Sequence, residues 1–475
     1  MNKKVFAILQ ITLIFSLFFT QPSQAQDQLP PSGPIYIIQP GDNLSAIAAR
    51  FNVPLDDLMR INGLSNANTI SAGAELIIPG LDGISGILST EIIGYGETLQ
   101  NISRRKQVPE PLLRKLNHIT SPAEMYAGVS LVVPQRENYT PLSNRIGIQP
   151  GQSLLESAVL ENSDPWTVTI LNGLSGTWSP LAGEILYALG TAQEGSLQPN
   201  GMPSAFVDVK FSPLPLVQGA TAVISIQTQP GVILSGKLAD DNLQFFPTSE
   251  SNKFINLQGI HAMLTPGIYP LKIEAMLPDG TKQSFEQMVV VQYPISGPYP
   301  NDPMLSVPPE TIDPTITGPE SEQITSLTSP VTPQKMWDGV FQLPVALPYC
   351  LKSRFGNRRA YNGGAYDNFH GGLDFGICSA DHPYDIYAPA AGKVIFTGLL
   401  TVRGNATLID HGWGVYSGYW HQTKILVNTG DMVTAGQLIG EIGETGRANG
   451  PHLHWEMWVN GTQVDPQSWL EQVFP

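Results

Sequence analysis

The sequence predicts a multidomain, mainly β protein. At 475 residues the chain is too long for one compact core, since a domain usually takes about 100 to 200 residues. It contains 46 glycines and 41 prolines, a content that favours short strands, turns and linkers over long helices. A repeat with a period of 55 residues adds small mixed α and β units near the N-terminus.

The charge balance excludes one class of partner. The formal net charge is −15, and a chain this acidic repels nucleic-acid phosphates and anionic lipid surfaces. Hydrophobic residues make up 42% of the chain, so it can bury cores and is not disordered throughout. We therefore expect no nucleic-acid partner.

Residues 1–25 are typical of a secretory signal peptide. Lys3 and Lys4 precede an apolar run over 5–19, and Ser23-Gln24-Ala25 matches a small-residue cleavage site. An uncleaved membrane anchor is the alternative, but the run is shorter than the roughly 20 residues that span a bilayer. We expect a mature chain without a transmembrane segment, exported to a periplasmic or extracellular location.

Cys350 and Cys378 are the only two cysteines, and they predict one disulfide. In an exported chain the oxidising environment favours pairing, and two buried free thiols are the alternative. Neither cysteine belongs to a Cys-x-x-Cys or Cys/His cluster, which argues against a structural zinc site.

Three copies of one unit fill the N-terminal part of the chain. In the first copy, a strand over 36–39 leads through Pro40-Gly41 to a helix over 44–51, a second helix begins at Pro54, and a strand over 75–78 closes the unit. Five positions hold the same residue in all three copies: Gly41, Gly96 and Gly151; Leu44, Leu99 and Leu154; Asn62, Asn117 and Asn172; Gly73, Gly128 and Gly183; Leu76, Leu131 and Leu186.

With Gly-Asp-Asn-Leu-Ser at 41–45 and Asn downstream, this β-α-α-β unit resembles the lysin motif (LysM) domain, which binds N-acetylglucosamine-containing glycans such as peptidoglycan. The resemblance gives repeat 1 at 35–79, repeat 2 at 91–134 and a diverged repeat 3 at 146–189, where Ser157 replaces an apolar residue. The repeated leucines are better explained as core residues, and the repeated asparagines as residues that cap or turn the chain. The resemblance implies sugar contacts at the first loop, at Gly41, Asp42, Asn43 and Leu44.

The middle of the chain predicts a β-domain and a linker. Over 203–294, alternating short strands are separated by turns such as Pro230-Gly231 and Asp279-Gly280, a pattern typical of an immunoglobulin-like β-sandwich. The segment resembles the β-domain that precedes some exported cell-wall peptidases, and spacer and substrate-positioning roles are equally open. Residues 295–340 are rich in proline and predict a linker, part of which can lie along a neighbouring domain.

Histidines are concentrated near the C-terminus, and this clustering calls for a metal or acid–base explanation. His452 and His454 are two residues apart in a predicted strand and so share a face. His370 and Asp374, four apart on an extended segment, also share a face. A hydrolytic zinc ion usually takes three protein ligands and keeps one open position, and two histidines with one carboxylate make such a set. Each motif alone is weak, and satisfied core histidines are the alternative. Six of the eight histidines fall in this part: His370, His382, His411, His421, His452 and His454.

The sequence around these histidines resembles a second known family over several stretches. Residues 341–475 resemble the lysostaphin-type zinc endopeptidases, whose fold is an antiparallel β-structure called the duplicated hybrid motif. The matching stretches are 353–356, 369–375, 388–394, 430–437, 443–446, 450–456 and 464–466.

That resemblance implies one Zn²⁺ per chain. It assigns His370, Asp374 and His454 as zinc ligands and His421 and His452 as catalytic histidines. Inactive relatives lose one or more of these five residues, whereas this chain keeps all of them. The remaining histidines are expected to be surface or structural residues: His118, His261, His382 and His411.

Taken together, the two resemblances imply a secreted, cell-wall-associated zinc metalloendopeptidase. It would bind peptidoglycan glycan strands through its LysM repeats and hydrolyse peptide bonds in the stem or cross-bridge peptides. The alternative is a non-enzymatic cell-wall-binding protein that regulates another hydrolase. The pattern predicts neither the bond that is cut, nor which histidine is the general base, nor an oligomeric state.

Overall fold

The computed structural model describes residues 33–81, 83–135, 142–148, 151–190, 202–379, 381 and 383–475. The predicted signal peptide and His382 lie outside the described residues. Among the helices of these ranges, none has the length and apolar character needed to cross a membrane. The chain divides into two compact units, Met1–Ile87 and Leu88–Pro475.

The first unit has the predicted β-α-α-β order. Strand β1 pairs antiparallel with β2, and helix α1 begins at Leu44 because the Asn43 side chain accepts a hydrogen bond from the Ala46 N–H at 2.8 Å. Leu44, Ile47 and Phe51 bury one face of this helix. The elements are β1 (Ile35–Ile37), α1 (Leu44–Phe51), α2 (Leu55–Ile61) and β2 (Glu75–Ile77).

Two further copies of this order follow, and apart from Ile87 they belong to the second unit. Repeat 2 consists of β3 (Ile87–Ile92), α3 (Leu99–Lys106), α4 (Glu110–Leu116) and β4 (Ser130–Pro134). Repeat 3 consists of β5 (Asn144–Gly147), α5 (Leu154–Leu160), α6 (Pro165–Leu171) and β6 (Ile185–Ala188).

The asparagine that recurs in every copy has a structural role that capping alone does not describe. The Asn62 side chain donates to the carbonyls of Leu58 and Ile77 and accepts from the Ile77 N–H. Asn117 and Asn172 make the equivalent three hydrogen bonds. In each copy the amide therefore joins the second helix to the closing strand.

The middle segment folds into two β-sheets that share one core. Ile224 and Ile226 of one sheet pack with Leu271 and Ile273 of the other. The sheet orders are β11-β10-β14-β15-β8 and β12-β13-β9-β7. The immunoglobulin-type topology stays a prediction. The strands are β7 (Phe206–Ser212), β8 (Leu216–Val217), β9 (Thr221–Thr228), β10 (Ile233–Leu238), β11 (Asp241–Asn242), β12 (Phe246–Pro247), β13 (Lys253–Gly259), β14 (Gly267–Met276) and β15 (Lys282–Gln292).

The proline-rich segment predicted as a linker contains a helix, α7 (Pro314–Thr328). Asp313 caps it, and Pro314 occupies the first helical position, where a missing N–H costs nothing. Ile324 is buried with Trp420 and Trp458 of the C-terminal domain. This part of the segment therefore packs against the domain that follows it.

The C-terminal domain is built on one antiparallel sheet in the order β16-β19-β27-β23-β22-β21-β25. The predicted disulfide between Cys350 and Cys378 is present, with the two Cα atoms 5.4 Å apart. The elements are β16 (Cys350–Ser353), β17 (Arg358–Arg359), β18 (Asn368–Phe369), β19 (Gly372–Gly376), β20 (Asp385–Tyr387), β21 (Gly392–Leu400), β22 (Gly404–Gly412), β23 (Val415–Gln422), β24 (Lys424–Ile425), β25 (Met432–Val433), β26 (Leu438–Glu441), β27 (His452–Val459), β28 (Thr462–Val464) and α8 (Pro466–Glu471).

His411 makes the stability of this domain pH-dependent. Its ring is fully buried and contacts the Ala391 carbonyl and the Ser417 hydroxyl, and burial lowers its pKa to about 4. A histidine in the unfolded chain has a pKa near 6.5. Below that pH the unfolded chain therefore binds a proton at this residue that the folded chain does not bind. This site should therefore reduce the free energy of unfolding by up to about 1.4 kcal/mol per pH unit as the pH falls toward 4. Urea denaturation between pH 4.5 and 6.5 should show a shallower pH dependence for His411→Gln than for the wild type, and equal slopes would contradict this account.

Candidate functional site

The register of three neighbouring strands brings the predicted site residues together. His454 on β27 lies opposite Asp374 on β19 and opposite Trp420 on β23. Residues directly opposite in an antiparallel pair share a face, so Asp374 and His454 point to the same side of the sheet. His452, two residues before His454, points there as well.

His421 reaches this face only because the backbone of β23 is irregular. Trp420 already shares the face of His454, so in a regular strand His421 would point to the other side. Its φ of 63° is in the left-handed region, which costs a non-glycine residue about 1 to 3 kcal/mol. Its ring centroid lies 4.9 Å from that of His452 and 6.1 Å from that of His454. The strain therefore places a fourth imidazole in the cluster.

His370 precedes β19 and approaches through two glycines. A Cβ at Gly372 would lie 2.1 Å from the Trp455 carbonyl oxygen, so the chain can pass β27 closely only with glycine at this position. The His370 backbone N–H donates to the Asn357 carbonyl at 2.8 Å. This connection fixes the ring over the sheet beside Asp374.

Three donor atoms converge at the centre of the cluster. His370 Nε2 lies 2.9 Å from Asp374 Oδ1 and 2.8 Å from His454 Nδ1, and His454 Nδ1 lies 2.6 Å from Asp374 Oδ1. Within the described ranges, these three residues form a group of histidine and acidic side chains that could hold a metal ion. All three predicted zinc ligands are thus brought to one place.

The hydrogen bonds of the outer ring nitrogens of His370 and His454 determine whether the inner nitrogens carry a proton or a lone pair. His370 Nδ1 lies 2.8 Å from the Arg354 carbonyl oxygen, and His454 Nε2 lies 2.8 Å from Glu456 Oε1. Both partners accept, so both outer nitrogens donate, which leaves His370 Nε2 and His454 Nδ1 as lone pairs in the neutral rings. Two lone pairs and a carboxylate then face one another, an arrangement that favours a cation between them.

The electrostatics of the cluster agree with this arrangement. Burial alone would raise the pKa of Asp374, but His370 and His454 hold it well below its usual range. Burial alone would lower the pKa of His454, yet Asp374 and Glu456 raise it above the ordinary value. The centre therefore attracts positive charge, and its imidazole and carboxylate donors suit Zn²⁺.

The two predicted catalytic histidines are oriented in the same way. His421 Nδ1 lies 2.7 Å from the Thr445 carbonyl oxygen, and His452 Nδ1 lies 2.9 Å from that of Gly450. Each Nδ1 therefore donates, which leaves each Nε2 able to accept a proton. His452 Nε2 lies 3.7 Å from Asp374 Oδ1, at the edge of the three-donor cluster.

Two residues of the site were missed by the sequence reasoning. Glu456 fixes the tautomer of His454, and its position two residues further along the strand could have indicated it. Arg359 Nη2 lies 3.2 Å from Asp374 Oδ2 and 2.9 Å from Ser353 Oγ. No pattern in the sequence connects Arg359 to Asp374.

Most side chains of the candidate sugar-binding loop make contacts within the first unit itself. The Leu44 side chain is 1% exposed in the core. Asp42 accepts from the Tyr36 hydroxyl and the Gln39 N–H, and Asn43 caps α1. Gly41 is exposed. A sugar contact at Leu44 would have to use its backbone, and the role of this loop stays a prediction.

The candidate metal site lies in a groove of about 1260 Å³. One side is formed by the C-terminal domain. The other includes Asp302, Leu305 and Ile312 of the predicted linker and His261 and Met263 of the β-domain. The groove therefore depends on chain segments outside the C-terminal domain.

Comparison with known proteins agrees with the two resemblances. The model for peptidase family M23 matches residues 368–466, and the model for the LysM domain matches 36–79 and 92–134. Assignment of the third copy to the LysM family stays a prediction.

Among curated relatives, peptidoglycan DD-endopeptidase ShyA of Vibrio cholerae is 36% identical over 122 residues, which cover 26% of this chain and 28% of ShyA. Murein hydrolase activator EnvC of Escherichia coli is 34% identical over 94 residues, covering 20% of this chain and 22% of EnvC. The matches thus span less than a third of either relative. A crystal structure of a peptidase M23 from Pseudomonas aeruginosa aligns with a TM-score of 0.41 at 27% identity, covering 54% of this chain and 95% of that one. The chain therefore carries a domain of peptidase family M23 at residues 368–466 and two LysM domains at 36–79 and 92–134.

Proposed function

We propose that this protein is an exported zinc metalloendopeptidase that binds peptidoglycan through its LysM domains and hydrolyses peptide bonds in the stem or cross-bridge peptides of that polymer. The observation that carries the proposal is the convergence of His370 Nε2, Asp374 Oδ1 and His454 Nδ1, whose proton positions leave a place for a cation. The match to peptidase family M23 and the LysM domains on the same chain support the substrate class.

The residues of the site have separate tasks in this proposal. His370, Asp374 and His454 would hold the ion, which when bound supplies Lewis-acid polarisation of a peptide carbonyl and lowers the pKa of water. His421 and His452 present Nε2 as a proton acceptor, and each can return the proton to the leaving amine. Thr445 and Gly450 hold these rings through Nδ1. Arg359 holds Asp374 through Oδ2, and Glu456 fixes the tautomer of His454.

A non-enzymatic role is the second candidate. It rests on the similarity to EnvC, which is described as an activator of murein hydrolases. A chain in that role needs no metal, so the complete donor set favours the enzyme. Equilibrium dialysis separates the two: the enzyme should bind about one zinc ion per chain, and a protein that takes up none at equimolar metal would be a regulator.

Digestion of purified peptidoglycan tests the proposed activity. We expect the wild type to release peptides, a chelator to stop the reaction, and added zinc to restore it. His454→Ala should be inactive because it removes a ligand, whereas His118→Ala, which changes an exposed histidine outside the site, should retain activity. Mass analysis of the released peptides would identify the bond that is cut. Cleavage that survives both the chelator and His454→Ala would refute zinc catalysis.

A further inference from the structure

The groove beside the metal centre contains three arginines, and two of them already have carboxylate partners. Arg359 lies 3.4 Å from Asp302 and 3.2 Å from Asp374, and Arg403 lies 3.0 Å from Glu320. The third, Arg447, has no ion pair with any acidic residue in the part of the chain that the structure describes. The groove therefore holds one guanidinium whose charge is not matched.

The contacts of Arg447 position its guanidinium without neutralising it. Nη1 donates to the Thr311 carbonyl at 3.0 Å, and the guanidinium lies 4.5 Å from the ring centroid of Tyr361. Stacking on an aromatic face leaves the edge of the planar fork available for a bidentate partner. Burial, Arg403 and Arg359 lower the pKa of Arg447, and Tyr361 and Glu320 partly oppose this shift. An anion placed here would relieve the repulsion among the three guanidinium groups.

Arg403 supplies a second, independent observation. Its Nε is buried and has no hydrogen-bond acceptor among the described residues, although its Nη1 pairs with Glu320 and its guanidinium lies 5.4 Å from the Trp420 ring centroid. A buried donor without an acceptor costs about 1 to 3 kcal/mol. Both arginines line the groove, so one anionic ligand could use both.

The position of Arg447 along the chain places this charge next to the reacting groups. It lies in the loop between β26 and β27, two residues after Thr445, whose carbonyl fixes His421, and shortly before His452. The loop whose backbone carbonyls orient His421 and His452 therefore also carries the guanidinium that has no carboxylate partner.

We propose that Arg447, supported by Arg403, binds a free carboxylate of the peptide substrate close to the scissile bond. This inference rests on the proposed function and narrows its substrate class: the preferred substrates are peptides with a free carboxylate beside the cleaved bond. Guanidinium–carboxylate pairs are frequently bidentate and charge-assisted, so this subsite would orient the peptide as well as bind it.

Paired substrates test the subsite directly. Peptide dimers released by a muramidase from purified peptidoglycan are used as free acids and after amidation of their carboxyl groups. The wild type should cleave the free acids with a kcat/KM about 10- to 100-fold higher than that for the amides. This factor corresponds to the free energy that a hydrogen bond to a charged group contributes. Arg447→Gln should lose most of that preference through a higher KM for the free acids, with little change on the amides, and Arg447→Lys should recover part of it.

Three controls separate this outcome from other causes. Lys424→Gln removes a positive charge from the surface, at a side chain that is 60% exposed, and should leave both substrates unaffected. Zinc content and thermal unfolding of the Arg447 variants report whether the contact with Thr311 was needed for folding, and Arg447→Lys provides a second variant if Arg447→Gln is unstable. A wild type without preference, or an equal loss on both substrates in a folded variant, would overturn the carboxylate subsite while leaving the peptidase intact. A wild type that cleaves neither substrate would overturn the proposed function itself.

Discussion

Asp374→Asn is expected to abolish zinc binding and peptidoglycan hydrolysis while leaving the fold in place. Asparagine has the same shape but no negative charge, and Asp374 Oδ1 is the atom on which His370 Nε2 and His454 Nδ1 converge at 2.9 and 2.6 Å. Changes to residues that only support a metal ligand typically cost 10- to 100-fold in affinity. Removing the charge of a ligand should therefore cost at least about 100-fold.

Metal analysis after dialysis against buffered zinc measures this effect, with digestion of peptidoglycan by the same samples. Asp338→Asn makes the same chemical change at an exposed position and should bind zinc and cut like the wild type. Circular dichroism checks the fold, because Arg359 loses one of its two carboxylate partners in Asp374→Asn. A folded Asp374→Asn that retains one zinc ion per chain would remove Asp374 from the ligand set.

The strand that carries His452 and His454 shows why much of the site is predictable. Leu453, Trp455 and Met457 alternate with the two histidines, and all three apolar side chains are fully buried. Because burial of one face determines which way every residue of a strand points, the sequence predicts the common face of His452 and His454. It also indicates Glu456 as the next residue on that face.

The groups that orient the imidazole rings of the site cannot be predicted from the sequence in this way. His370 and His421 are held by the backbone carbonyls of Arg354 and Thr445, and a backbone carbonyl has no signature in the sequence. The alternation rule even points His421 away from the site, and only its left-handed backbone corrects this. Its inclusion among the predicted residues depended on the resemblance to a family and not on periodicity.

Helix α7 shows a further limit of reasoning from composition. Its prolines favour a linker by count, but Pro314 lies at the helix start, where proline is tolerated, and the helix continues through Pro319. The segment is held by burial of Ile324 against Trp420 and Trp458 and by Glu320, which accepts from the Val402 and Arg403 N–H groups. The Glu320 hydrogen bonds span 82 and 83 residues of sequence, and the contacts of Ile324 span more. Local composition does not report contacts of this range.

His421→Ala and His452→Ala are each expected to reduce kcat by about 10²- to 10⁴-fold with zinc content unchanged. Neither ring belongs to the three-residue ligand set, yet each presents Nε2 with Nδ1 fixed by a carbonyl. Burial, and then the nearby His452 and His454, lower the pKa of His421 to about 3, so this ring is neutral above about pH 4. Loss of either ring removes a neutral imidazole that either accepts a proton or stabilises the transition state, while the groove that binds the substrate remains.

The double variant reports whether the two histidines act together. If they serve one proton-transfer step, His421→Ala combined with His452→Ala should be about as slow as the slower single variant, because residues that act as a unit are strongly non-additive. Additive losses would instead assign them separate steps, with one accepting the proton and the other stabilising the transition state. His118→Ala again supplies the matched control at an exposed position. A single variant that loses zinc would count that histidine as a ligand, and one that keeps full kcat would be excluded from proton transfer, which would leave the other ring as the base.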